Sequence, residues 1–244
     1  MESLIVLSIG TTHPWNVAGV GRDLVVGTQL GARVFTAIAA VSAQDRRGVV
    51  ALHPVPADVL EAQFAALPWE AAGAVRVGAL PTLHAVRSVA RALQARPSLP
   101  AVVDPVFEAS RGGELAEAPA RVALRDELAT LPSVVLTPNL DEAAFLLGSA
   151  RPQRATIGEA AAELRARGAA AVLLKGGHLD GAPADALATA GGVEIFCEPR
   201  IGGAMHGTGC TLAMALACEL AGGNGVAHAV RAARAYVREQ LARH

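Results

Sequence analysis

The sequence predicts an α/β fold with a mostly parallel sheet and helices on both faces. Three observations predict it. Short apolar runs alternate with amphipathic stretches along the chain, the mark of repeated βαβ units. No linker, repeat or low-complexity segment divides the 244 residues, so a single domain over 1–244 is expected. The polar residues Gln44, Asp104, Asn139, Glu142 and Lys175 fall at or just past the ends of apolar runs. Open α/β sheets hold their ligands at the carboxyl ends of such strands.

The elements follow in order. Residues 4–9 read as the first strand; a loop with glycine and proline leads to a helix over about 20–30. A second strand over 34–41 ends at Ser42-Ala43-Gln44. Residues 49–54 read as a short strand and 56–67 as a helix, with Pro56 suited to the first turn. Strand 75–78 precedes helix 83–95, and the buried strand 101–104 ends at Asp104-Pro105. A helix over 119–129 leads to strand 134–136, ending at Thr137-Pro138-Asn139. Asn139 is placed to cap helix 140–147, and Thr156 with Glu159 fits a capping box for a helix ending near Gly168. Strand 171–174 ends at Lys175-Gly176-Gly177, and short strands near 186–189 and 193–197 are suited to a hairpin. Gly207-Thr208-Gly209-Cys210 opens an apolar helix to about Leu220. A last helix carries Val226, Val230, Ala233, Val237 and Leu241 on one face.

Composition removes several function classes. A formal net charge of −1 excludes a strongly basic nucleic-acid binder, and 3% aromatics argue against stacking platforms for single strands. Three cysteines without paired spacing make neither a disulfide framework nor a zinc site. The first residues lack a basic leader region, and no uncharged apolar run approaches the ~20 residues of a membrane span. A soluble, cytoplasmic protein is expected. Lys175 is the only lysine beside 20 arginines. A compact point charge and a planar fork are not interchangeable at a phosphate site.

Three segments could carry chemistry. Met205-His206-Gly207-Thr208-Gly209-Cys210-Thr211 has two glycines before a helix start, where free N–H groups and the positive dipole end suit a phosphate. Cys210 would lie in the first turn, where a thiol pKa tends to fall; a helix cap with a small buried hydrophobe is the competing reading. In Thr137-Pro138-Asn139-Leu140-Asp141-Glu142, Asn and Glu three apart share a helix face. They could hold a hydrated Mg²⁺ or simply cap the helix. In Leu174-Lys175-Gly176-Gly177-His178 the lysine could neutralise nucleotide phosphates or be a solvated surface residue. Asp104 could order metal-bound water or cap the loop with Ser110-Arg111-Gly112-Gly113, a candidate mobile cover. His13, His53, His84 and His228 lack metal-ligand spacing, Cys197 and Cys218 read as core filling, and Trp15 and Trp69 as packing.

In this order, the segments resemble the ribokinase superfamily and, within it, the phosphomethylpyrimidine kinases. The likeness spans nearly the whole chain. It is clearest at Val20-Gly21-Arg22-Asp23-Leu24, from Ser42 through Gln44-Asp45-Arg46-Arg47-Gly48 to Val49, and at Val103-Asp104-Pro105-Val106, besides the three segments above. The resemblance implies a three-layer α/β/α fold without a separate lid domain, and a homodimer. It implies ATP- and Mg²⁺-dependent phosphorylation of 4-amino-5-hydroxymethyl-2-methylpyrimidine or its monophosphate; the alternatives are a kinase of pyridoxal or another hydroxymethyl heterocycle, and a non-catalytic pyrimidine-binding sensor, against which Lys175, Glu142 and Cys210 together argue. By the same carry-over, Gly10, Asp23, Gln44 and Val106 would surround the pyrimidine. Lys175 and Asn139 would meet ATP, Glu142 and Asp104 the metal, and Gly207, Thr208, Gly209 and Cys210 would form the catalytic anion hole. One stretch departs from the family. Where it shows Asp-Pro-Ser-Gly-Gly-Ala-Gly, this chain has His13-Pro14-Trp15-Asn16-Val17-Ala18-Gly19, which should remodel the substrate entrance. Leu80 stands where methionine is common.

Overall fold

A computed structural model describes residues 4–45, 48–177, 179, 181–202 and 205–243. The strands are β1 Leu4–Thr12, β2 Ala32–Asp45, β3 Gly48–Pro54, β4 Ala74–Val77, β5 Ala101–Val103, β6 Val134–Leu136, β7 Ala171–Leu174, β8 Ala184–Thr189 and β9 Gly192–Cys197. The helices are α1 Gly19–Gln29, α2 Ala57–Ala66, α3 Leu83–Gln94, α4 Ala118–Ala123, α5 Leu140–Leu147, α6 Ile157–Ala166, α7 Thr208–Ala221 and α8 Val226–Ala242. Among the described residues these strands form one sheet in the order β3-β2-β1-β4-β5-β6-β7-β8-β9. The stretch from β2 to β7 is parallel, while β3, β8 and β9 join antiparallel at the edges.

The side-chain period of two divides every central strand between two cores. Leu7, Val75, Val103 and Leu136 face one way and pack with Leu60, Phe64, Leu93, Leu146 and Leu164, so α2 to α6 cover that face. Val6, Ala74, Val102, Val135 and Leu173 face the other way and meet Val26, Met214, Leu216 and Val230 of α1, α7 and α8. Helix α7 is buried nearly all round, as an apolar helix lying between a sheet and other helices must be.

Several expectations need correction. The helix over 119–129 divides into α4 and a π turn, Leu124–Leu128, where Ala129 N donates to Leu124 O at 2.8 Å. Thr156 forms no capping box: its hydroxyl accepts from Gln153 N (3.0 Å) and donates to Gln153 O (3.3 Å), leaving Glu159 without that partner. Cys197, on edge strand β9, is exposed rather than core. Trp15 is 49% exposed rather than packed away, whereas Trp69 stacks edge-on with Phe64 and donates its Nε1–H to Phe64 O at 2.7 Å.

Candidate active site

The alternation that builds the second core also aims charge at α7. Two residues beyond Val6, Ala74, Val102 and Leu173 on the same face stand Ser8, Arg76, Asp104 and Lys175. The N-terminus of α7 lies over this row. Its N-cap, Gly207, has φ +77° and no side chain caps the helix. A Cβ at Gly207 would collide with the Val17 carbonyl oxygen, so the left-handed turn and the close approach both require glycine. A Cβ added to Gly209 would lie 3.4 Å from Lys175 Nζ and 3.7 Å from Asp104 Oδ2. The first turn of α7, with its unshared N–H groups, therefore sits directly on an ammonium–carboxylate pair.

That pair is tight. Lys175 Nζ donates to Asp104 Oδ1 at 2.7 Å, with side-chain exposures of 17% and 1%. Thr137 Oγ1 donates to the same oxygen at 3.3 Å. Behind it lies Arg76, fully buried on central strand β4, with Nη1 3.4 Å from Asp23 Oδ2 and Nη2 3.6 Å from Asp104 Oδ2. Ser8 Oγ donates to Asp23 Oδ2 at 2.7 Å. Burial works against the charges of Arg76 and Lys175. The anionic groups around them outweigh it and hold both above their ordinary ranges.

Burial dominates the acids. It pushes Asp23 up to about 6 against the pull of Arg76. It pushes Glu142 up to about 7 against Lys175, with Asp104 adding to the rise. Cys210 is also pushed up by burial, although Arg76 and the Gly19 N–H draw it back. The lowered thiol pKa expected from its place in a first helical turn is thus overturned: desolvation outweighs the helix end.

Asn139 and Glu142 form a complete capping box on α5. Asn139 Oδ1 accepts from Asp141 N and Glu142 N, both at 2.9 Å, and Glu142 Oε2 accepts from Asn139 N at 2.7 Å. Lys175 N donates to Pro138 O at 2.8 Å, and a parallel bridge joins Asn139 to Lys175. The β6 and β7 ends thereby bring Glu142 beside Lys175 and Asp104. Among the described residues no three His, Cys, Asp or Glu form a metal cage. Two buried carboxylates meeting one ammonium still suit a hydrated Mg²⁺, which needs few protein ligands and completes its shell with water and phosphate.

The remaining sequence-derived residues lie along the same rim. Gly10 is buried in β1, where a Cβ would lie 3.5 Å from Gly78 Cα. Gln44 is half-buried and pairs with Val49 beside a bulge. Val106 packs against the small cluster of Ala79, Ala109 and Leu115. The expected cover at 110–113 lies on β3, with Val49 N donating to Gly112 O at 3.3 Å. Asp23, expected at the pyrimidine, is completely enclosed and faces Arg76 and Ser8. Loop 13–18 folds back on α1: His13 Nε2 accepts from Ala18 N at 3.3 Å, and Asn16, at φ +51°, lies against Gly21. Arg46, Arg47 and His178 lie outside the described residues.

Sequence reasoning missed Arg76 and Ser8. A signal was present, because a charge within Ala74-Val75-Arg76-Val77 breaks an otherwise apolar central strand, and such residues are almost never fully buried unless paired.

Comparison with known proteins identifies the family and the fold. The family described as phosphomethylpyrimidine kinase matches residues 14–244. A hydroxymethylpyrimidine/phosphomethylpyrimidine kinase of Streptomyces coelicolor is 37% identical over 235 residues, covering 96% of this chain and 87% of the relative. The crystal structure of phosphomethylpyrimidine kinase from Clostridium difficile 630 superposes with a TM-score of 0.85 at 26% identity, covering 97% of this chain and 99% of the other. Pyridoxal kinase from Staphylococcus aureus in complex with AMP-PCP and pyridoxal gives 0.87 at 26% identity, covering 99% and 89%.

Proposed function

Since the chain belongs to the phosphomethylpyrimidine kinase family, we propose that it transfers the γ-phosphoryl group of ATP to 4-amino-5-hydroxymethyl-2-methylpyrimidine phosphate. The unphosphorylated alcohol is the poorer acceptor. The observation that carries this reading is the uncapped start of α7 seated on Lys175 and Asp104. N–H groups of Gly207 to Cys210 are suited to hold the oxygens of the group in flight, and Lys175 to offset the charge of the nucleotide phosphates. Glu142 is the carboxylate suited to Mg²⁺, with Asn139 holding its orientation through the capping box. Mg²⁺, when bound, neutralises phosphate charge. Asp104 has its oxygens occupied by Lys175, Thr137 and Arg76, so its part is to hold Lys175 and to face the hydrated metal across water. Gly10, Gln44 and Val106 line the pyrimidine side.

The two acceptors make different demands. An alcohol must lose its proton as the new P–O bond forms, and Cys210 is the group placed to take it. A phosphate monoester is already anionic near pH 7 and needs no such base. Burial raises the proton affinity of Cys210, so little of it stands as thiolate, which slows the alcohol route and leaves the monophosphate route intact. A coupled ADP-release assay with both pyrimidines and pyridoxal tests the reading. Comparable kcat/KM for the two pyrimidines would refute the preference, and a best rate with pyridoxal would refute the substrate. Cys210→Ser is expected to abolish the alcohol reaction and spare the other.

We extend the proposal to a cytoplasmic homodimer. Among the described residues no helix is long and apolar enough to cross a membrane. The exposed Val41 and Val50 on the β2–β3 edge favour self-association, which sedimentation of the full chain tests.

A further inference from the structure

Arg76 occupies a position where the sheet pattern calls for an apolar side chain. Its neighbours on β4 are all buried and the strand lies at the centre of the sheet. Enclosing a guanidinium there is costly, and replacing buried ion clusters by apolar residues is often neutral or stabilising. Nor does the side chain repay its burial through good hydrogen bonds. None of its nitrogens makes a hydrogen bond of good geometry to either carboxylate, so its contacts with Asp23 and Asp104 are electrostatic. Yet space is made for it, since any Cβ on Gly78 would strike Nη1. Two carboxylates converge on it from two elements: Asp23 from α1 and Asp104 from the end of β5.

We propose that Arg76 is a positioning residue for phosphoryl transfer: its buried charge holds Asp23 and Asp104 together and, through Asp104, fixes Lys175 beneath the first turn of α7. The inference rests on the function proposed above. Without the guanidinium, Asp23 is left with Ser8 alone, Asp104 loses the cation at its Oδ2, and the place from which Asp104 holds Lys175 loosens. Small displacements of such groups cost rate more than binding, because the transition state demands closer placement than the ground state.

Arg76→Met removes the charge and keeps apolar volume; Arg76→Lys returns a point charge. With ATP and the pyrimidine monophosphate, Arg76→Met is expected to lower kcat by about 100-fold. KM for ATP should change by less than about threefold, because lost positioning falls on the transition state. Arg76→Lys should recover at least about tenfold, as a charge that still reaches the carboxylates would. If Arg76→Met does not fold, Arg76→Gln reads the same loss. A folded neutral variant with kcat within threefold of wild type overturns the proposal, as does an Arg76→Lys no faster than the neutral variant. The wild-type assay separates the two claims, since failure of wild type on both pyrimidines sinks the function and not the positioning. Crystal structures of wild type and the neutral variant then decide the latter without substrate. The Lys175–Asp104 contact, 2.7 Å in the native protein, should open; an unchanged contact overturns the proposal.

Discussion

Two helix starts meet at one rim of the sheet and are built in opposite ways. At α5, Asn139 and Glu142 spend their side chains on the first-turn amides. At α7 a left-handed glycine takes the N-cap, no side chain closes the turn, and Lys175 lies against Gly209. Both ends carry the same positive dipole. One is satisfied internally and orients a carboxylate; the other stays open to an anion. A helix end is therefore read for ligand binding by what its amides still lack and what charge stands beside them, not by the dipole alone.

The sharpest way to break the comparison is to close the open end. Gly207→Ala forces a Cβ into a left-handed turn against the Val17 carbonyl. ADP release should fall by about 10²–10³, the scale of losing an oxyanion-type donor set. Wild-type rates would mean that α7 is only structural. Next, Glu142→Gln keeps an acceptor for Asn139 N–H but removes the charge. The Mg²⁺ concentration for half-maximal rate should rise about tenfold or more, with little change in melting temperature; an unshifted Mg²⁺ titration would assign Glu142 to the cap alone.

A third test uses pH. Asp23 is raised to about 6 and Glu142 to about 7 by burial, so the folded protein binds these protons more tightly than the unfolded chain. Their stabilising contribution is complete below about pH 4 and is lost as pH rises through 6 to 7. Scanning calorimetry of the ligand-free protein should show a melting temperature several degrees lower at pH 8 than at pH 5, with a flatter profile in Glu142→Gln. The reverse slope would show that these carboxyls are not desolvated. The smallest effect is Asn139→Ala. Loss of the cap should cost ~1 kcal/mol, or about 2–4 °C in thermal melting for a chain of this size. A loss far beyond that would give Asn139 more than a capping part.

Much of the fold was legible because its signals are local. The runs that became β5, β6 and β7 needed no partner to be recognised as buried strands, and Asn139 announced its cap within four residues. Local motifs also misled. Thr156 and Glu159 have the spacing of a capping box, but the hydroxyl is drawn to Gln153. Cys210 stands in a first turn, yet burial sets its proton affinity. Asp23 stands in a matched motif, yet the fold encloses it behind Arg76. Arg76 itself carried a warning in its apolar strand, but its partners come from α1 and the end of β5.

Periodicity along the chain settled the order of strands and helices and the rim at which polar side chains emerge, since these depend on neighbours a few residues apart. Which groups meet at that rim, which helix start stays open and which acids keep their protons were decided only by tertiary packing. Burial and charge act through space between segments distant in sequence, and no spacing along the chain records those distances.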